Sequence, residues 1–188
     1  MDDDDSNSDS NISEIVPRYP ISRRPRILLG TCGCIDASKF GLLCQCFSTW
    51  ANVGVVFTDS SVPFVNAETI PNLVVGGQTS VEYLEWADVM VIAPLSANTL
   101  AKIAGGLSDN LLTEIVRSWD RNKPFYVAPA MDPLMWNNPL TERQRQKCVD
   151  ELGINVIAPS EMGQMAEPSE ISYTVKLSND ECWDYPYC

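Results

Sequence analysis

Histidine is absent from all 188 residues. Its absence excludes Ser-His-Asp and Cys-His catalysis, histidine-ligated zinc and any histidine general base. Long apolar runs are missing too. None approaches the roughly 20 residues that span a bilayer as a helix, so no membrane segment is expected. Basic residues are missing from both ends. Residues 1–17 hold six acids (Asp2, Asp3, Asp4, Asp5, Asp9, Glu14) and residues 178–188 hold three (Asp180, Glu181, Asp184), with no Lys or Arg in either. The chain carries 25 acids and 13 bases, for a net charge of −12, so setting aside those nine acids leaves 16 against 13 in the body. A near-neutral body argues against nucleic-acid binding through a basic face. The acidic N-terminus is the opposite of a secretory signal or an Arg-rich transit peptide, which reads as a cytoplasmic, or alternatively nuclear, protein. The seven cysteines are an odd number, and Cys32, Cys34, Cys44 and Cys46 fall in apolar or glycine-rich contexts. They read as free thiols, and no metal site is expected from them.

What is present centres on residues 87–120, ADVMVIAPLSANTLAKIAGGLSDNLLTEIVRSWD. The apolar run Val89–Ala93 predicts a strand buried on both faces, ended by Pro94. Ser96-Ala97-Asn98-Thr99 then supplies polar side chains and free backbone N–H groups at the start of a helix. A buried parallel strand that delivers a polar loop to a helix N-terminus is how open α/β sheets build ligand sites. Two helical patterns follow, broken at Gly105-Gly106.

Residues 1–24 read as an acidic, disordered tail, residues 25–177 as one domain and residues 178–188 as a second acidic tail. Arg26–Thr31 predicts a first strand, followed by the glycine turn Cys32-Gly33-Cys34-Ile35-Asp36. A helix comes next, with Phe40, Leu43, Cys44, Phe47 and Trp50 on one face. Asn52–Phe57 is a second strand ending in the hydroxyl-rich turn Thr58-Asp59-Ser60-Ser61. Two such turns can converge on a phosphate. Residues 62–80 read as a short helix or loop, and Glu82–Trp86 as a helical turn. Pro124–Ala128 is a further strand, closed by Pro129-Ala130-Met131-Asp132-Pro133. A helix starts at Asn138-Pro139 and runs to Leu152, with Gly153 as its C-cap. Asn155–Ala158 is a fifth strand and Glu170–Leu177 a final helix. Strands alternating with helices imply an α/β fold, a parallel sheet with helices on both faces.

The segments PLSANT with AKIAGGLSDNLLT, PAMDPLMW and the glycine turn after the first strand resemble those of the flavin-dependent cysteine decarboxylases. Within that family the likeness is greatest to the phosphopantothenoylcysteine decarboxylase and plant halotolerance branch, and it covers about residues 25–177. The resemblance implies a Rossmann-like, flavodoxin-type fold, bound FMN and a trimer with sites at subunit interfaces. It also implies a reaction, decarboxylation of 4′-phosphopantothenoylcysteine in coenzyme A synthesis. There FMN oxidises the cysteinyl moiety, the resulting thioaldehyde accepts electrons as CO₂ leaves, and the flavin returns them. Carried over by motif, Gly33, Cys34 and Ile35 line FMN, and Thr58, Asp59 and Ser60 form the second strand-end turn against it. Ser96, Ala97, Asn98 and Thr99 grip the phosphate and ribityl region, and Ala130 abuts the flavin. Helix capping is the alternative role for Ser96 and Asn98, and a small core position the alternative for Cys34.

Three departures bear on activity. The family's base is a histidine, and Ser80 occupies its slot. General-base assistance is worth about 10²–10⁴-fold, and a serine hydroxyl cannot supply it at neutral pH without a partner base. The resemblance places Met131 and Asp132 at the substrate, with Asp132 in the slot of the asparagine that holds its carboxylate. An ionised Asp132 facing that carboxylate would cost on the order of several kcal/mol in a desolvated site. The glycine-rich flap corresponds to the run from Pro159 to Pro168, which is shorter and lacks the family's cysteine. The region from Asn66 to Thr79 also looks shorter. The sequence therefore predicts an FMN-binding flavoprotein with impaired or lost decarboxylation. The alternative is a non-catalytic subunit, as a partner in a mixed trimer rather than a homotrimer, or as a regulator of a type 1 phosphatase.

Overall fold

The structure, a computed structural model, describes residues 23–66, 68, 70 and 79–179. Residues 1–22, 180–188 and most of 67–78 lie outside these, so of the two expected tails only residues 23–24 and 178–179 are described. Five strands form one parallel sheet: β1 (Arg26–Thr31), β2 (Asn52–Phe57), β3 (Val89–Leu95), β4 (Phe125–Pro129) and β5 (Asn155–Val156). Their order is β2-β1-β3-β4-β5. From β1 the chain steps outward to β2, then crosses back to place β3 on the other side of β1. That reversal opens a crevice between the carboxyl ends of β1 and β3, where doubly wound sheets hold ligands, and the order is the flavodoxin-type one.

Successive strand residues point to opposite faces, so each strand feeds two cores. Ile27, Leu29, Val53, Val55, Val89 and Val91 pack with Phe40, Leu43 and Phe47 of α1 (Phe40–Ser48) and Ile171 and Val175 of α7 (Pro168–Leu177). Leu28, Val56, Met90, Ile92, Phe125 and Val127 face the other way. There they meet α2 (Ser80–Trp86), α3 (Ala97–Gly105), α4 (Leu111–Arg117) and α6 (Pro139–Leu152). Coverage on both sides explains why the strands read as continuous apolar runs rather than alternating ones. A four-residue helix, α5 (Pro133–Trp136), follows β4.

Several boundaries differ from the sequence reading. Pro94 does not end the central strand; β3 continues to Leu95, with the β3–β4 register shifting between Ile92 and Leu95. Proline lacks an N–H but keeps its carbonyl, and Pro94 O accepts from Cys32 N at 3.2 Å. The first helix begins only at Phe40, after a 3-10 turn at Ile35–Lys39, and Trp50 lies beyond its end. Its indole instead donates to Ser172 of α7. α2 starts earlier than expected, because Thr79 and Glu82 form a reciprocal capping box. The last strand is two residues long, although Ile157 N still donates to Val127 O. Residues 59–64 form a 3-10 helix, in the part of the 62–80 expectation that is described. Gly153 closes α6 at φ 67° and Gly106 closes α3 at φ 71°, both left-handed C-caps.

Candidate functional site

The carboxyl ends of β1 to β4 bring four loops to one rim. Gly33 sets the spacing between the first two. A Cβ at Gly33 would stand 2.4 Å from Ser60 O and 2.6 Å from Ser60 C, so only a residue without a side chain permits this approach. The second loop is held by its own hydroxyls: Thr58 Oγ1 and Ser60 Oγ lie 3.0 Å apart, and Ser61 Oγ donates to Thr58 O at 2.7 Å. Asp59, in the first turn of the 3-10 helix, is exposed, whereas Thr58 is buried.

Across the β1–β3 crevice, Ser96 is the N-cap of α3 and accepts from Thr99 N at 3.2 Å. Its hydroxyl donates to Thr99 Oγ1 at 3.1 Å. Just past β1, burial pushes the pKa of the Cys32 thiol up, with Thr99 and Ser96 pulling the other way. The first-turn amides of Ala97 and Asn98 have no acceptor within the helix and lie at the positive end of its dipole. Asn98 is exposed. On β1 itself, Thr31 Oγ1 is buried without a hydrogen-bond partner, the one such side-chain oxygen among the described residues. Cys34, half-buried at the start of the 3-10 turn, has its thiol raised to about 11 by burial, so it brings no negative charge at neutral pH. Ile35 opens the same turn.

The fourth loop completes the rim. Ala130 is buried and donates its N–H to Leu95 O at 2.9 Å. Met131 N donates to Gly163 O at 3.0 Å. At Gly163, φ is +74° and a Cβ would stand 2.0 Å from Met131 O, so this contact also requires glycine. On its other side the 159–166 strap is held by Asp36, whose buried carboxylate accepts from Met165 N at 2.8 Å. Lys39 stands 3.7 Å from Asp36 and 3.2 Å from Glu167. The strap thus bridges the ends of β1 and β4.

Neither of the two replaced positions on the described rim is idle. Ser80, the first residue of α2, donates its hydroxyl to Glu114 Oε1 at 2.8 Å. Asp132 is the N-cap of α5, exposed, and its Oδ1 accepts from Leu134 N at 2.8 Å. Sequence reasoning missed Glu114, which is 34 positions from its partner on another helix and has no local signal. It also missed the Asp36 strut, whose only sequence cue is an acid in an otherwise small and apolar turn, with Lys39 three residues on. The orphaned Thr31 hydroxyl gave no cue either.

These features suit a flat, phosphorylated cofactor. An unpartnered buried hydroxyl, that of Thr31, ends β1, and outward amides open α3 at the end of β3, the neighbouring strand, where open α/β sheets hold phosphates. A cavity of about 290 Å³ lies elsewhere, lined by Ile103, Leu107, Trp119, Arg121, Phe125 and Leu152 near the amino end of β4. It lacks the convergent amides and hydroxyls of the rim and is a separate feature.

Known proteins give the class. Residues 19–179 match the Flavoprotein family, and the chain belongs to it. Phosphopantothenoylcysteine decarboxylase HAL3a of Glycine max is 49% identical over 179 residues, covering 82% of this chain and 84% of the relative. Since 82% of 188 residues is about 154, the match spans about 25 positions with no counterpart here, in line with the shortened segments. Among solved structures, the FMN binding protein AtHal3 superposes with TM-score 0.78 at 48% identity, covering 85% of this chain and 98% of that one. A PPC decarboxylase mutant complexed with pantothenoylaminoethenethiol gives TM-score 0.77 at 48% identity, covering 84% and 100%. The chain is thus a flavoprotein with a Rossmann-like fold, related to phosphopantothenoylcysteine decarboxylases, and the flavin of its relative AtHal3 is FMN.

Proposed function

We propose that this chain binds FMN at the β1–β3 crevice and has impaired or lost decarboxylation of phosphopantothenoylcysteine. When bound, FMN supplies the reversible two-electron chemistry that a cysteine decarboxylation needs. Gly33, Cys34 and Ile35, with Thr58, Asp59 and Ser60, would line it. The amides and hydroxyls of Ser96, Ala97, Asn98 and Thr99 would hold its phosphate, and Ala130 would pack against its ring. The observation that carries the reading is the contrast between the two kinds of position. The Ser96–Thr99 cap that opens α3 is formed, whereas position 80 carries no imidazole and its serine hydroxyl is hydrogen-bonded to Glu114. Asp132, beside Met131, presents a carboxylate where an anionic substrate would need a neutral or positive partner.

Purified full-length chain is expected to be yellow, with a flavin absorbance spectrum, and to release no CO₂ from phosphopantothenoylcysteine. Robust CO₂ release by the isolated chain overturns the loss of catalysis, and failure to take up added FMN overturns the cofactor assignment. The double substitution Ser80→His with Asp132→Asn is expected to raise any residual turnover.

A second reading is a subunit of a mixed trimer, for which the apolar side chains beside the rim offer a contact surface. Leu134 is 84% exposed, Met162 74% and Met135 55%, a set that a partner surface would cover. A mass in solution that shifts to a trimer only on mixing with an active relative supports this reading. A homotrimer formed by this chain alone argues against it.

A further inference from the structure

The cavity near the amino end of β4 is separate from the flavin crevice, and its chemistry is of another kind. Its walls are mostly apolar, from Ile103, Leu107, Val116, Trp119, Phe125 and Leu152, and two arginines, Arg117 and Arg121, stand among them. The Arg117 guanidinium is tied to the Gly106 carbonyl at the end of α3. Arg121 is exposed, and among the described residues neither arginine forms an ion pair. An apolar wall with unpaired cations at hand selects a ligand that is both aromatic or aliphatic and anionic.

The chain carries such a ligand. Residues 180–188, DECWDYPYC, hold three acids, three aromatic residues and no Lys or Arg. The described chain ends at Asn179, which is buried and whose side-chain amide donates to Tyr126 Oη at 3.0 Å. Tyr126 is the neighbour of Phe125 in β4, and Phe125 is a wall of the cavity. Nine residues extend to about 30 Å at 3.3–3.6 Å each. That length allows the segment to pass around the amino end of the sheet from one face to the other. We propose that residues 180–188 dock in this cavity, with Trp183 or a tyrosine against the apolar wall and the carboxylates of Asp180, Glu181 and Asp184 facing Arg117 and Arg121. The intramolecular linkage makes a weak contact effective, because the tail is held near the cavity at high local concentration. The proposal is independent of the flavin assignment. Its consequence is that an end rich in acid is folded back onto the domain.

Cys182 and Cys188 report on the docking directly, since both lie in the segment. The full-length native chain is treated with a thiol reagent, and the labelling rate at each cysteine is read by peptide mass against a synthetic peptide of residues 180–188. Docking predicts labelling at least fivefold slower than in the peptide, a rise toward the peptide rate in Arg121→Glu, and retention of protection in Arg121→Lys. The triple substitution Asp180→Lys, Glu181→Lys, Asp184→Lys lies outside the folded body and is expected to release the tail in the same way. It is also expected to open the cavity to the anionic dye 8-anilinonaphthalene-1-sulfonate. Labelling of the unmodified chain at the peptide rate, or slow labelling that neither charge reversal changes, overturns the proposal.

Discussion

At the residue scale, the site depends on what two positions omit. Gly33 and Gly163 each face a backbone carbonyl closer than any Cβ tolerates, so an alanine at either forces one loop off another. Overpacking of this kind costs about 1–3 kcal/mol. At Gly33 the displaced partner is the backbone of Ser60, which cannot rotate away as a flexible side chain could. Gly33→Ala is therefore expected to lower the thermal midpoint by several degrees and to weaken FMN uptake at least tenfold, read by flavin fluorescence titration. An unchanged affinity would remove the 33–60 contact from the account of the crevice. Ser80 teaches the complementary point, that a side chain's neighbours decide its chemistry. Its serine identity is visible in the sequence, while the carboxylate that accepts its hydrogen bond is supplied by tertiary packing.

At the scale of elements, the 159–166 strap is fastened on its β1 side by one buried carboxylate. Removing the acceptor leaves Met165 N unpaired in a buried place, which costs about 1–3 kcal/mol. Asp36→Ala is expected to lower stability by that amount in urea denaturation. It is also expected to raise amide exchange at Met165 and along the strap, with β2 unaffected; uniform exchange across the domain would show that Asp36 supports the whole fold rather than the strap. The sequence made the strands and helices legible because both sheet faces are covered and β1 to β4 are largely apolar runs. It made the 96–99 loop legible because a cap and a phosphate grip use the same residues. It misplaced the ends of elements where long-range bonds decide them. Pro94 stays in β3 because its carbonyl serves Cys32, and α1 starts late because the turn before it tightens to 3-10. The Asp36 strut joins residues 129 positions apart, and no local pattern encodes such a pairing.

At the scale of the whole molecule, the free thiols connect the packing to the response to pH. Cys44 belongs to the core on the α1–α7 side and Cys148 to the core on the opposite side. Burial raises Cys44 to about 12 and Cys148 to about 11, and Cys34 at the rim to about 11. Burial likewise raises Tyr83, whose hydroxyl donates to Val55 O. In the unfolded chain a thiol ionises near its ordinary value of about 8.5. Above that pH the unfolded state binds fewer protons than the folded state, so stability declines as pH rises. The contribution is whole below the unfolded value and falls away between about pH 9 and the folded values of 11 to 12. Each such thiol steepens the decline by at most about 1.4 kcal/mol per pH unit. Thermal midpoints are thus expected to be flat from pH 7 to 8.5 and to drop steeply from pH 9 to 11. Cys148→Ala lowers the midpoint at pH 7.5 by removing packed volume, yet it is expected to make the alkaline slope shallower, because one titrating group has gone. A slope unchanged in Cys148→Ala would place the alkaline transition on lysine and tyrosine rather than on the buried thiols. The two effects of that substitution have opposite signs, so the loss of a core contact and the loss of a proton linkage separate in one set of melting curves.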